Sequence, residues 1–600
     1  MSKRSVAAAL LGLALSGLAL SGLAGPALAA CKVSRIVDLP VTMSGLRPMV
    51  PAKINGVDVM FVADSGAFYS MITPSTAAEL KLSLEPAPWN FTLTGVGGEA
   101  RASLTVVKTF TLAAVPIHNV EFIVASGVDN DAAGLLGQNV LGLADVEYDL
   151  ANGAIRLMRP DGCPHTALAY WAGGKGYSVM GIQAPEQRNP HTLGVAYVNG
   201  ARILVMFDTG ASTSVMTLRA AARAGVKPSD ADVLPAGLSY GIGRHPVKTW
   251  ITPVASFRIG DEDVRNTRLR IADMDLEGAD MLLGADFFLS HRVYVSNSQH
   301  KLYFTYNGGP VFNLTAAALV QDAPDHPPRP SAPPSDVVAE PGDAEGFSRR
   351  GAALAARRDF DRAIADFTRA SALSPSEPKY VYQRAMVRLS NQQPFLAMAD
   401  LDQTLKLKPD DIAALVARAE LRLAGHDKAA ASLDLDAAAR LAPREADVRL
   451  RLAGLYQRVD QFDLAIAQYD LWIAAHADDG QLVQALNGRC WTRALAGRAL
   501  DQALNDCNRA VRGSPKTPAV LDSRGLVYLR QGQLEKAIAD YDAALALQPN
   551  SAWSLYGRGL ARLRLGQKAD GQADMAAATA LRPKLPEEAK GYGIAASDGE

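Results

Sequence analysis

Short runs of β-branched or alternating apolar residues, separated by Gly, Asn, Asp and Pro, fill the chain from about residue 33 to 310. Examples are Asp58–Val62, Leu104–Val107, Ile203–Phe207 and Val293–Val295. Strands this short, at this spacing, are typical of β barrels and β sandwiches. After Asp343 the apolar positions follow the helical period instead, and the rest of the chain is predicted to be helical.

The β-rich region contains a duplication. Asp64-Ser65-Gly66-Ala67 follows one apolar strand, and Asp208-Thr209-Gly210-Ala211 follows another, 144 residues later. Further on, Leu135-Leu136-Gly137 is echoed by Leu282-Leu283-Gly284, at an offset of 147. An almost constant offset between separate motifs predicts two copies of one lobe.

A single Asp-Ser/Thr-Gly-Ala segment is weak evidence of chemistry, because Asp-x-Gly is also common in turns. Two copies, each followed by Leu-Leu-Gly after a similar interval, favour a functional pair. Over roughly residues 40–308 the combination resembles the retropepsin-like branch of the aspartic proteases, in a single-chain tandem arranged like pepsin. That resemblance implies an all-β bilobal domain in which each lobe supplies one aspartate near a pseudo-twofold axis.

The resemblance assigns the catalytic roles to Asp64 and Asp208. Two adjacent carboxyls cannot both ionise cheaply, so the pair holds one proton over a wide pH range. The ionised member acts as a general base on water, while the protonated member polarises the scissile amide. The sequence does not say which aspartate is the base. The neighbouring residues Ser65, Gly66, Thr209 and Gly210 are expected to support the two loops.

Two Gly-rich segments are candidate flaps that close over a substrate. They contain Gly95, Gly97 and Gly98 in the first lobe, and Gly241 and Gly243 in the second. Each segment alone is equally compatible with an ordinary hairpin turn.

The resemblance also implies that two further glycines, Gly137 and Gly284, lie behind the aspartate loops, where they allow close backbone approach.

The helical half repeats with a period of 34 residues, apart from one step of 38. The corresponding small residues are Ala363, Ala397, Ala431, Ala465, Ala503, Ala537 and Gly571. This period and the accompanying aromatic and Pro positions resemble seven tetratricopeptide repeats (TPR). The resemblance implies an all-α solenoid whose concave surface binds a protein partner.

The N-terminus has the pattern of a secretory signal peptide: Lys3 and Arg4, an apolar run from Val6 to Leu23, and small residues before Cys31. A transmembrane anchor is the competing interpretation. On the signal-peptide interpretation we expect export, most simply to the bacterial periplasm.

The four cysteines allow two disulfides in such a compartment, Cys31–Cys163 and Cys490–Cys507. Leu28–Cys31 also resembles a lipobox, in which Cys31 would carry a lipid anchor instead. A buried pair of free thiols is the competing interpretation for Cys490 and Cys507, and export favours the disulfide.

The charge balance limits the classes of function that the chain can have. With 61 Lys+Arg against 62 Asp+Glu, the net charge is -1, which disfavours nucleic-acid binding. No motif indicates a metal site or a cofactor.

The expected divisions of the chain are a signal peptide at 1–30, a first protease-like lobe at 31–165, a connector at 166–187, a second lobe at 188–310, a Pro-rich linker at 311–342, seven repeats at 343–584 and a tail at 585–600.

Two functional hypotheses result. The first is an exported aspartic endopeptidase whose repeats dock a protein partner or substrate. The second is a peptide-binding scaffold of the cell envelope whose protease-like lobes have lost turnover. Retention of both aspartates with their Ser/Thr-Gly neighbours favours the first hypothesis.

Overall fold

The structure is a computed structural model. It describes residues 31–88, 91, 93–125, 132–174, 176–184, 191–239, 241, 247–276, 278–312, 314, 340–477 and 479–595. The predicted signal peptide at 1–30 and most of the predicted linker at 311–342 lie outside these residues. Within the described ranges, no helix is both long enough and apolar enough to cross a bilayer.

The first half of the β-rich region contains strands β1–β13. Their bounds are β1 Lys32–Pro40, β2 Thr42–Ser44, β3 Arg47–Ile54, β4 Val57–Ala63, β5 Met71–Ile72, β6 Glu85–Pro86, β7 Leu93–Gly95, β8 Gly98–Ala100, β9 Ser103–Leu112, β10 Val115–Val124, β11 Gly134–Leu136, β12 Asp145–Asp149 and β13 Ala154–Asp161. The short helices are α1 Pro74–Glu79 and α2 Gln138–Leu141. Strands β3-β4-β11-β5-β10-β9 are hydrogen-bonded in that order, and β9 also pairs with β3. The first lobe is therefore a closed six-stranded barrel.

The second half repeats this arrangement with strands β14–β23. Their bounds are β14 Ser178–Gly181, β15 Leu193–Val198, β16 Ala201–Phe207, β17 Val215–Thr217, β18 Leu234–Ser239, β19 Val247–Ile259, β20 Glu262–Ala272, β21 Met281–Leu283, β22 His291–Ser296 and β23 Lys301–Tyr306, with helices α3 Leu218–Arg223 and α4 Ala285–Ser290. Here β15-β16-β21-β17-β20-β19 close into a second barrel through a β15–β19 pairing. The predicted duplication and the bilobal all-β class are confirmed.

A third sheet joins the lobes, with the order β1-β13-β12-β22-β23-β14. At its centre β12 of the first lobe pairs antiparallel with β22 of the second, and Glu147 lies opposite Tyr294. Glu147 is fully buried and is neutralised by Arg156 and Arg292. Because a buried carboxylate without a partner is costly, these ion pairs fix how the two lobes meet.

The helical half consists of successive antiparallel helix pairs. The first helices are α5 Ala344–Ala356, α7 Pro378–Ser390, α9 Ile412–Ala424, α11 Val448–Arg458, α13 Leu482–Ala496, α15 Pro518–Arg530 and α17 Ala552–Arg564. The second helices are α6 Phe360–Leu373, α8 Pro394–Leu407, α10 Lys428–Leu441, α12 Phe462–Ala475, α14 Leu500–Gly513, α16 Leu534–Leu547 and α18 Lys568–Leu581, and a last short helix α19 spans Leu585–Gly591. The predicted helical repeat array is confirmed.

The compact units of the chain divide between Pro409 and Asp410, so the first two helix pairs belong to the unit that contains the barrels. Helix α5 packs against β2, and Arg357 donates a hydrogen bond of 2.6 Å to the carbonyl of Gly308. The domain boundary expected at residue 343 therefore stays a prediction. The first compact unit ends later, at Pro409.

A salt bridge recurs in most repeats. An arginine of the first helix binds, through Nε and Nη2, an aspartate of the second helix that lies 16 or 17 residues later. The pairs are Arg350–Asp366, Arg384–Asp400, Arg418–Asp434, Arg489–Asp506, Arg524–Asp540 and Arg558–Asp574. Two parallel hydrogen bonds fix both distance and orientation, so this pair sets the angle between the helices of a repeat.

Two disulfides are present. One joins Cys31 to Cys163 and ties the start of β1 to the end of the first lobe. The other joins Cys490 of α13 to Cys507 of α14. Both disulfides anticipated from the sequence are therefore formed.

Candidate active site

Asp64 and Asp208 each stand directly after a barrel strand. The backbone N–H of Asp64, after β4, donates to the carbonyl of Leu136 at 2.9 Å, and that of Asp208, after β16, donates to Leu283 at 2.9 Å. In each lobe the aspartate therefore stays in register with the Leu-Leu strand beside it. Both carboxyls therefore lie at the interface between the lobes.

The residues after each aspartate hold the two loops together by reciprocal hydrogen bonds. The N–H of Ser65 donates to Oγ1 of Thr209 at 3.0 Å, and the N–H of Thr209 donates to Oγ of Ser65 at 2.9 Å. The Thr209 hydroxyl donates to the Ala63 carbonyl at 2.7 Å, and the Ser65 hydroxyl donates to the Phe207 carbonyl at 2.8 Å. Ser65 and Thr209 are 2% and 0% exposed, so water does not compete for these bonds.

The two loops approach so closely that neither central glycine leaves room for a side chain. A Cβ on Gly66 would lie 2.3 Å from Cγ of Asp208, and a Cβ on Gly210 would lie 2.2 Å from Cγ of Asp64. Neither glycine has a positive φ. The requirement for glycine therefore comes from contact across the interface.

The glycines behind the loops are needed for the same reason. A Cβ on Gly137 would lie 2.8 Å from the carbonyl oxygen of Ala67, and one on Gly284 would lie 2.6 Å from that of Ala211. The close approach expected from the sequence is present at both positions.

The two carboxyls share a hydrogen bond and their titrations are coupled. Burial, followed by the charge of Asp208, raises the pKa of Asp64 well above its usual range. Burial also raises the pKa of Asp208, but the hydrogen bond from Asp64 and the N–H groups of Gly210 and Ala211 oppose that rise. Both carboxyls therefore hold a proton more strongly than a free aspartate does, and the pair titrates as one unit.

His191 breaks the symmetry of the pair. It precedes β15, and the carbonyl of its neighbour Thr192 accepts a 3.0 Å hydrogen bond from the N–H of Phe207. A positive charge on His191 lowers the pKa of Asp208, while burial lowers the pKa of His191 itself. Sequence reasoning missed this residue, because a lone histidine ahead of a strand carries no motif.

The supports behind the two loops also differ. Oγ of Ser70 donates to the neutral amide oxygen of Asn139 at 2.8 Å, whereas Oγ of Ser214 donates to the carboxylate of Asp286 at 2.7 Å. In both lobes the serine hydroxyl also accepts from the backbone N–H of the Leu-Leu-Gly glycine. The aligned Ser and Asn/Asp positions could have revealed this pair, but sequence reasoning did not single them out.

The first candidate flap is a hairpin in which Gly95 pairs with Gly98 across a turn formed by Val96 and Gly97. Val96 packs against an apolar cluster of the second lobe that includes Leu193, Met206 and Leu282. Of the second candidate flap, Gly241 is described and lies against Val96, since a Cβ there would be 3.2 Å from the Val96 Cβ. Gly243 lies outside the described residues. Gly241 therefore lies against the turn of the first hairpin.

Comparison with known proteins agrees with this architecture. An aspartyl protease family matches residues 50–140 and again residues 195–287, and a TPR repeat family matches residues 525–566. The β-rich region is therefore an aspartyl-protease-like domain of two lobes, and it is followed by TPR repeats. No curated protein matches the chain.

Similar solved structures include two TPR proteins and PilF. YrrB, described as a TPR protein with an unusual peptide-binding site, is 20% identical, with 32% of this chain and 98% of YrrB covered and a TM-score of 0.29. A tetratricopeptide repeat protein from Parabacteroides merdae is 16% identical, with 42% and 98% covered and a TM-score of 0.34. PilF from Pseudomonas aeruginosa is 14% identical, with 36% and 96% covered and a TM-score of 0.28.

Proposed function

We propose that this protein is an aspartic endopeptidase whose repeats dock a protein partner or substrate. The observation that carries the proposal is the contact of Asp64 and Asp208 across the lobe interface, with each loop locked by a buried hydroxyl of the other. Such a pair retains one proton and one negative charge, which is the state that activates water beside a peptide bond.

In the proposed reaction Asp208 is the base and Asp64 is the acid. Asp208 takes a proton from water as the water oxygen bonds to the amide carbon, and Asp64 gives its proton to the carbonyl oxygen. In the second half Asp208 passes its proton to the amine nitrogen as the C–N bond breaks. Asp64 then recovers a proton from a hydroxyl of the intermediate, and the starting protonation state returns.

Partly buried apolar side chains in each lobe support a peptide substrate with apolar residues. In the first lobe Tyr69 and Leu93 pack on an apolar cluster and remain partly accessible. In the second lobe Leu276 packs on another such cluster. Burying an aliphatic or aromatic substrate side chain against such surfaces contributes about 1.5–3 kcal/mol each.

Digestion of a peptide library tests the peptidase proposal. We expect cleavage between apolar residues, suppressed by a statine-type inhibitor and unaffected by a serine-protease inhibitor or by a metal chelator. A chain that binds the statine-type inhibitor but cuts no peptide would instead support the scaffold hypothesis.

The role of the repeats is tested by truncation after Pro409 rather than at residue 343. The later end point keeps α5 on β2 and keeps the Arg357–Gly308 hydrogen bond. We expect the shortened chain to cut short peptides at the full-length rate and to process a protein target more slowly. Equal processing of the protein target by both chains would contradict the docking role.

Export to an oxidising compartment, most simply the bacterial periplasm, is part of the same proposal. Two disulfides and the signal-like N-terminus support it. Because the sulfur of Cys31 is bonded to Cys163, it is not free to carry a lipid, so we favour the disulfide over the lipid anchor. Mass spectrometry of the mature N-terminus would detect a diacylated Cys31 and would then exclude this choice.

A further inference from the structure

The last described residues of the chain fold back onto the fourth, sixth and seventh repeats, all in the second compact unit. Helix α19 and the four residues that follow it, Tyr592–Ala595, are here called the tail. The tyrosine hydroxyl of Tyr592 donates to Asp460 at 3.1 Å, and its ring lies 5.7 Å from that of Phe462. These partners are about 130 residues away in sequence, in the fourth repeat, so the tail does more than cover the last helix pair.

The repeats bind the tail mainly through its backbone carbonyls. Arg530 donates to the carbonyl of Tyr592 and, at 3.2 Å, to that of Gly593. The Tyr556 hydroxyl donates to the carbonyl of Ile594 at 3.3 Å, and Arg564 donates to that of Ala595 at 3.3 Å. Side chains of the sixth and seventh repeats thus donate hydrogen bonds to four consecutive carbonyls of the tail.

The guanidinium of Arg530 is held in place by the repeats themselves. Its Nε donates to the carbonyl of Ala494 at 3.1 Å, and its Nη2 donates to that of Leu495 at 3.0 Å, so its guanidinium is fixed by the end of α13. The remaining N–H directions point at the tail. Arg564 stands close enough that its charge, after burial, lowers the pKa of Arg530. Two arginines at one site favour a ligand that presents several oxygen acceptors.

The tail also has a defined shape. Gly593 has a φ of +67°, and the N–H groups of Gly593 and Ile594 return to the carbonyls of Lys590 and Ala589. This is a Schellman cap, in which glycine takes the left-handed position and the next residue is apolar. The apolar residue, Ile594, is 2% exposed and packs in the cluster that contains Leu585 and Ala589. The bound form is therefore a helix end with the order aromatic, glycine, aliphatic.

We propose that this surface of repeats four to seven is a binding site for a partner protein that presents such a helix end, and that the tail occupies it as a built-in competitor. The site is defined by Asp460, Phe462, Arg530, Tyr556 and Arg564. The proposal rests on the docking role given above to the repeats and is independent of hydrolysis.

The tail is suited to exchange because its hold is modest. A seven-residue helix is marginal on its own, and of the tail's eleven residues only Leu585, Ala589 and Ile594 are buried. A short tether gives an effective concentration in the millimolar range. A partner present at micromolar concentration must therefore bind much more tightly than the tail, or the tail must first be released.

A binding assay without turnover tests the proposal. The probe is a fluorescein-labelled synthetic peptide with the sequence of residues 585–597, and the readout is anisotropy. A chain that ends at Lys584 is expected to bind the probe at least about tenfold more tightly than the full chain. In that shortened chain Arg530→Ala should weaken binding about tenfold, whereas Arg512→Ala, at an exposed arginine of α14, should leave it unchanged.

A second variant covers the case in which the shortened chain fails to fold. Ile594→Asp in the full chain keeps every donor of the site but disfavours the docked tail, and it should bind the probe more tightly than the unmodified chain. Equal probe affinity for the unmodified chain and for a folded variant would overturn the proposal. So would a dimer of the full chain that disappears on removal of residues 585–600, because the occupant would then be a second copy. Failure of peptide cleavage would leave these binding results unaffected.

Discussion

Replacing Gly66 or Gly210 by alanine adds one methyl group at the point where the two aspartate loops meet. In Gly66→Ala the new Cβ would lie 2.3 Å from Cγ of Asp208 and 2.5 Å from its Oδ1. Ordinary van der Waals contact begins near 3.4 Å, so the carboxyl or the loop must move by about 1 Å.

The carboxyl of Asp208 cannot swing away freely. Its Oδ1 accepts hydrogen bonds from the N–H of Gly210 at 2.9 Å and from that of Ala211 at 3.1 Å. A shift of about 1 Å breaks or stretches both bonds and separates the carboxyl from its partner. A misplacement of this size at a reacting group costs about a hundredfold in rate, which corresponds to about 2.7 kcal/mol.

The assay is kcat/KM on a short peptide that the unmodified chain cuts, measured beside thermal unfolding. We expect a loss of about a hundredfold for Gly66→Ala and for Gly210→Ala. Overpacking of this kind lowers the free energy of unfolding by about 1–3 kcal/mol, which leaves the enzyme folded at assay temperature. Gly181→Ala is the matched control, since a Cβ there meets no atom within 4 Å. A folded Gly66→Ala enzyme with kcat/KM within about threefold of the unmodified chain would refute the loop geometry.

Three further predictions concern charge and covalent stability. Because a charged His191 lowers the pKa of Asp208, His191→Gln should move the acidic limb of the kcat/KM profile to higher pH, and an unmoved limb would contradict this electrostatic effect. Burial raises the pKa of Asp522 from 3.8 to about 6, so its ionised form destabilises the fold above pH 6, and this penalty is absent below the unfolded pKa. Asp522→Asn should therefore raise the free energy of unfolding by up to about 3 kcal/mol at pH 7.5 and by nothing at pH 3.5; equal gains in urea unfolding at the two pH values would exclude burial of charge as the cause. Replacing Cys490 and Cys507 together by Ser should cost about 3 kcal/mol, because the crosslink spans 17 residues, and a loss below about 0.5 kcal/mol would argue against the crosslink.

The parts of the fold that repeat were predictable from the sequence. The paired Asp-Ser/Thr-Gly and Leu-Leu-Gly motifs predicted two similar lobes. The same close contacts occur in both lobes, and each contact requires glycine at the corresponding position. The 34-residue period predicted the helix pairs for a related reason. Each repeat must bury the same apolar face against its neighbours.

What was missed depends on single contacts between distant segments. His191 beside Asp208 has no local signature, and the tail contact of Tyr592 with Asp460 joins residues 132 apart in sequence. The Arg–Asp pair found in most repeats is different, because its spacing of 16 or 17 residues was visible in the sequence and only the pairing was not recognised. At Gly66 the contact that excludes a side chain comes from Asp208 of the other lobe, and no local motif shows it.

The most direct test of the central proposal is to measure peptide hydrolysis by Asp64→Asn and Asp208→Asn beside the unmodified chain. Each substitution keeps the size of the side chain and removes its ability to exchange a proton. If the two carboxyls act as one acid–base pair, kcat should fall by about a thousandfold in either variant, with the fold intact by circular dichroism. Hydrolysis at the unmodified rate by either variant would contradict the account.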